Sequence, residues 1–137
     1  MLKLLGPPLS KKQDFSIIDL RAAVRQGLPY HAFESIRQAT GLSQQDFSAV
    51  LGISGRTIAR RREDRQLTAA ESDRLYRVAR TLAHTVAVLG SIEKAREWFA
   101  RGNRALGGEA PIALLDTDIG VRQVEDVLLR LEHGVYS

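Results

Sequence analysis

"SQQDFSAVLGISGRTIARRRED", residues 43–64, holds two short helical patterns separated by Gly52, and each part of a helix-turn-helix has a residue to supply it. Phe47, Val50 and Leu51 share the buried face of the first helix, Gly52 makes the turn, Ile53 plugs the space behind it, and Ile58 anchors the second helix. Ser43 and Ser54 stand at the N-cap positions, where a serine oxygen accepts an orphan N–H of the first turn. Arg56, Thr57, Arg60 and Arg61 are left for the outward side, with Arg62 and Arg65 near the end. Arginine suits that side because its fork bonds a guanine edge or a phosphate, and Gln44 and Gln45 add polar groups at a helix N-terminus that favours anions. The expected DNA-binding set is therefore Gln44, Gln45, Ser54, Arg56, Thr57, Arg60 and Arg61. The same geometry also serves as a plain structural corner. Glu63 and Asp64 beside the arginines offset part of the charge.

Outward from this stretch, apolar residues recur at helical spacing and no segment alternates as a half-buried strand does, so the fold class expected is all-α. Before it, a helix begins at Asp14 or Ser16, turns Phe15, Ile18, Ala22 and Val24 toward a core and stops at Gly27 ahead of Pro29. Tyr30, Phe33, Ile36 and Ala39 form the stripe of the next helix, closed by Gly41. After it, Thr68 and Glu71 make a T-x-x-E capping box at the head of the longest helix, whose inner face is Leu75, Val78, Leu82, Val86 and Leu89. Ser91 caps a helix with Ile92, Ala95 and Phe99 inward, ended by Gly102. Pro111 opens a short helix, and Asp118 to Glu132 form the last one, with Val121, Val124, Leu128 and Leu131 on one side.

The totals set bounds on function. The 137 residues, 44% hydrophobic and 26% charged, suffice for two small modules sharing one chain. No run of eighteen apolar residues is present, and Pro7-Pro8 interrupts the short apolar start, so neither a membrane span nor a signal peptide is expected and a cytoplasmic location fits. The absence of cysteine excludes disulfides, thiolate metal sites and a cysteine nucleophile. Residues 1–66 carry eleven Lys/Arg against six Asp/Glu, whereas residues 67–137 carry nine against ten. That imbalance is expected of a nucleic-acid module, residues 1–66 with a loose N-terminal arm, joined to a module with other work, residues 67–137.

Enzyme chemistry is not visible in the rear half. His31, His84 and His133 are scattered singly, and His84 has no second ligand at i+4, so a hydrogen-bonded structural role is expected in place of a metal site. "LGGEAP", residues 106–111, lacks the G-K-[ST] of a phosphate loop and reads as a turn that lets two helix ends approach. No cofactor is expected.

"WFARGNRALGGEAPIALLDTDIGVRQVEDVLLRLEHGVYS", residues 98–137, resembles the C-terminal toxin-binding domain of the Xre/MbcA/ParS antitoxins. The likeness runs through Trp98-Phe99, the loop Asn103-x-x-Leu106-Gly107-Gly108-x-x-Pro111, Leu114-Leu115, Gly120, Val124-Glu125 and Gly134-Val135-Tyr136. The first half is similar to a diverged Xre-type helix-turn-helix, without the Trp-Glu pair that commonly closes the second helix. This resemblance implies a RES-domain toxin as partner, with NAD as that partner's substrate. It also implies toxin contact by Leu131, Glu132, His133, Gly134, Val135, Tyr136 and Ser137, supported by Asn103, Gly107 and Gly108. It further implies repression of the chain's own operon through operator DNA, which a helix-turn-helix protein reads best as a homodimer facing two half-sites. The other reading of the residues is a helix-turn-helix regulator whose rear half only dimerises or senses a ligand; apolar helix faces after residue 67 suit either.

Overall fold

The structure, a computed structural model, describes residues 16–134. It is all-α, with no strand among the described residues. Helices α1 (Ile17–Gln26), α2 (Tyr30–Thr40), α3 (Gln44–Leu51) and α4 (Gly55–Asp64) lead into the long α5 (Ala69–Leu89). Then follow α6 (Ile92–Ala100), two 3₁₀ turns (Arg104–Leu106 and Pro111–Leu114) and α7 (Asp118–Glu132). No described helix is long and apolar enough to cross a membrane.

The chain divides into two compact units between residues 79 and 80, inside α5, whereas the break read from the sequence stands at 66–68, at the loop before that helix. In the first unit Phe33 and Phe47 pack at 5.2 Å between ring centroids, with Tyr30 stacked on Phe33 at 5.6 Å. Leu28, Ile36, Ile58, Leu75 and Val78 are buried with no measurable exposure. Removing a ring such as that of Phe33 from a core of this kind costs about 3–5 kcal/mol.

The caps explain where these helices start and stop. Ser16, Ser43 and Ser54 each accept the N–H of the residue three places on, and Gly41 and Gly52 take the left-handed conformation that ends α2 and α3. The Thr68–Glu71 box forms in both directions, at 2.9 and 3.2 Å. Ser72, fully buried, accepts the N–H of Leu28 at 2.7 Å and donates to the Thr68 carbonyl at 2.7 Å, so the α1–α2 linker is fastened to α5 with no polar group wasted.

One helix face differs from expectation. On α1 the buried residue is Leu20; Ile18 and Ala22 are exposed and Val24 is half-buried, while Asp14 and Phe15 lie outside the described residues. The Ser16–Asp19 capping box sets the helix start at Ile17, so the turn from Leu20 to Val24 faces inward and Ile17 and Ile18 stay out.

In the second unit Leu82, Ala95, Phe99, Val121, Val124, Val127 and Leu128 are buried. Both α6 and α7 pack on the turn 111–114. α6 ends at Ala100 with Arg101 as its cap, one residue ahead of Gly102, the stop expected from the sequence. Gly102 instead lets the chain run against the Gly108 carbonyl, where a Cβ would stand 2.7 Å away.

Candidate functional site

The residues expected from the sequence to bind DNA and toxin fall at two places, the outward side of α3 and α4 and the far end of the second unit. At the first, Gln44, Gln45, Ser48, Ala49, Ile53 and Gly55 line an open hollow between α3 and the head of α4. Ser54 is exposed at the N-cap of α4; its hydroxyl accepts the Thr57 N–H at 3.1 Å and donates to Thr57 Oγ1 at 3.0 Å. Arg56 and Arg60 are exposed and make no hydrogen bond or ion pair among the described residues. The hollow, the cap and these two cations occupy the stretch a helix-turn-helix offers to DNA.

Arg61 is placed otherwise than its outward assignment. Its side chain is only 17% exposed, and its Nε donates to Glu71 Oε1 at 2.8 Å, with Asp64 Oδ2 at 3.5 Å. The side chain is turned toward the head of α5 because Glu71, at the third position of that helix, offers a carboxylate to both Arg61 and the Thr68 N–H. Arg62 carries contacts that reading the sequence missed. Its Nη2 donates to Gln44 Oε1 at 2.8 Å, its Nε to the Tyr30 hydroxyl at 3.4 Å, and its guanidinium lies 5.9 Å from the centroid of the Tyr30 ring. The partners stand 18 and 32 residues away, so no local pattern signals them.

At the second place the loop after α6 is held by its own backbone. Asn103 Oδ1 accepts the Ala105 N–H at 2.9 Å, the Asn103 N–H reaches the Glu109 carbonyl at 3.0 Å, and the Gly108 N–H returns to the Asn103 carbonyl at 2.9 Å. Gly107 and Gly108 are both exposed at positive φ, 69° and 88°, which only glycine adopts without strain. The turn 104–106 packs on α7 with Leu106 buried. Asn103 thus holds an exposed glycine corner through three hydrogen bonds, in agreement with the reading of this loop as a turn.

At the end of α7 Leu131 is half-buried, and Glu132, His133 and Gly134 are exposed. Val135, Tyr136 and Ser137 lie outside the described residues. Glu132 is tied back: His84 Nε2 meets its Oε1 at 3.3 Å, and His84 Nδ1 meets Glu125 Oε2 at 2.6 Å. Thr81 donates to Glu125 Oε1 at 3.0 Å, with Arg80 Nε at 3.7 Å. Burial disfavours the charged form of His84, but the bonds to Glu125 and Glu132 outweigh it and hold the imidazole above its ordinary pKa. The structural role expected for His84 is the one it fills. No cluster that could hold a metal is present among the described residues.

Comparison with known proteins covers both places. Residues 19–80 match the antitoxin Xre-like helix-turn-helix domain, and residues 84–134 match the antitoxin Xre/MbcA/ParS C-terminal toxin-binding domain. The chain is 33% identical over 120 residues to the antitoxin Xre of Photorhabdus laumondii, covering 86% of this chain and 81% of that protein. It is 32% identical over 117 residues to the antitoxin Xre of Yersinia enterocolitica, covering 84% and 79%. To the antitoxin Xre of Pseudomonas putida it is 40% identical over 80 residues, covering 58% of this chain and 50% of that protein.

Proposed function

Because the chain belongs to the Xre family of antitoxins, joining a helix-turn-helix to a toxin-binding domain and containing no enzyme, we propose that it blocks the active site of a RES-domain toxin with residues 131–137 and represses its own operon through the helix-turn-helix. The toxin consumes NAD, which is the partner's substrate and no cofactor of this chain. In the proposed division of labour residues 1–66 serve operator DNA and residues 67–137 serve the toxin and homodimer formation, all in the cytoplasm. One observation carries the toxin half of this reading: the match to a toxin-binding domain extends through the last turn of α7 to Gly134.

The supporting physics is steric. Helix α7 ends at Glu132 and the sequence runs on through Gly134 to valine, tyrosine and serine, and a tyrosine joins an apolar ring to a polar hydroxyl of the kind that anchors in a protein cleft. The glycine corner at 107–108 gives the second contact.

The test is co-expression with a RES-domain toxin. The full chain is expected to restore growth and the cellular NAD level. Removal of residues 135–137 is expected to leave helicity, melting temperature and mass in solution unchanged and to bring toxicity back. Rescue by the shortened chain at full strength removes the blocking mechanism.

A further inference from the structure

We propose that Arg62 is a positioning residue for DNA binding, which locks the Gln44 side chain with its N–H₂ group turned outward to meet a phosphate at the head of α3. The proposal rests on the DNA-binding reading above. A guanidinium has donors and no acceptor, so the atom of Gln44 that faces Arg62 Nη2 at 2.8 Å is the carbonyl oxygen, and the N–H₂ on the other branch of the amide points away. Gln44 is the first residue of α3. There the Ser43 hydroxyl takes the N–H of Asp46 at 3.1 Å, while the N–H groups of Gln44 and Gln45 have no partner among the described residues. Two orphan N–H groups and a fixed amide donor, all at the positive end of a helix dipole, form a complementary set for one phosphate.

Arg62 is set to hold rather than to bind. Its Nε and Nη2 are engaged by Tyr30 and Gln44, and its guanidinium carbon stands 5.9 Å from the centroid of the Tyr30 ring. Tyr30 is fixed in turn, since its hydroxyl donates to Glu34 Oε1 at 3.3 Å and Arg37 grips Glu34 Oε2 through Nε and Nη2 at 3.1 and 2.9 Å. Arg37 Nη1 then donates to the Leu42 carbonyl at 2.9 Å, in the loop just before α3. One network therefore orders both the backbone entry to α3 and the side chain of its first residue, so less rotamer freedom is lost when DNA arrives.

The experiment is a double-mutant cycle with R62K, Q44A and the pair, read by anisotropy on a labelled duplex enriched from a random-sequence library by the wild-type chain. Lysine keeps the charge, but one ammonium cannot reproduce the forked contact of Nε with Tyr30 and Nη2 with Gln44. Each single variant is expected to weaken binding about fivefold, the loss of one ordinary hydrogen bond. The pair is expected to show about the same fivefold loss in place of about twenty-five-fold for independent sites. The slope of affinity on salt is expected to stay at the wild-type value, because no charge changes. In the free protein, the Gln44 side-chain N–H₂ is expected to be more ordered by NMR relaxation than that of Gln45, and to lose that order in R62K. Wild-type binding by R62K, multiplying losses, or a Gln44 amide as mobile as that of Gln45 overturns the proposal while DNA binding stands. If no duplex is enriched by the wild-type chain, the DNA reading falls and the role of Arg62 with it.

Discussion

Arg60 is exposed on α4, whereas the guanidinium of Arg61 is held by Glu71 and Asp64, and this difference between neighbours separates affinity from stability. R60A is expected to leave the melting temperature unchanged and to lower the slope of log affinity on log salt by about 0.9, one phosphate contact. R61A is expected to cost about 2 kcal/mol in urea denaturation, because Glu71, 10% exposed, keeps its charge and loses its counterion. An R61A variant as stable as wild type would show that the pair is immaterial. The residue-level division was not legible in the sequence. Glu71 is fully accounted for by its capping box, so nothing marked it as a partner for an arginine ten residues earlier. Glycines divide in the same way. A Cβ on Gly120 would overlap the Leu114 carbonyl, whereas one on Gly55 meets nothing within 4 Å. G120A is expected to destabilise by about 2 kcal/mol, and G55A to stabilise by about 0.5 kcal/mol, both by the same denaturation assay.

At the scale of helices, two anchors respond to pH with opposite sign. Burial raises the pKa of Glu71, but the bonds from Arg61 and Thr68 outweigh it and hold the carboxyl below the usual glutamate range. Its contribution is present above the unfolded value and lost as pH falls through the folded one. His84 is raised, so its bonds to Glu125 and Glu132 contribute fully below the unfolded pKa of about 6.5 and fade as pH rises through the folded value. Melting curves across pH are expected to show H84Q abolishing the loss on the alkaline side and E71Q abolishing part of the loss on the acid side. A wild-type alkaline profile in H84Q would remove the seat of α7 from the histidine. Capping serines, closing glycines and the range of α7 were legible, because each is a local signal within four residues. The inward face of α1 was not, since Ile17, Ile18, Leu20 and Val24 offer competing stripes and only the start of the helix chooses between them.

For the molecule as a whole, helical spacing and the change of character after Gln66 were enough to separate a basic front from a neutral rear, and the likeness of residues 98–137 to a toxin-binding domain agrees with the family found by comparison. The place where the compact units part was not legible, because α5 runs through it without a break in its apolar stripe. A further feature lies in the first unit. The Tyr30 N–H donates to the Arg65 carbonyl at 3.0 Å and the Leu67 N–H to the Leu28 carbonyl at 2.9 Å, around an antiparallel bridge of Pro29 with Gln66. Gly27 passes so close to the Leu67 carbonyl that no side chain fits, and Arg65 closes α4 in the left-handed conformation. The chain that enters the helix-turn-helix thus leaves beside its own entrance. Such a doorway pins both ends of the intervening stretch, residues 29–66, at a single seam.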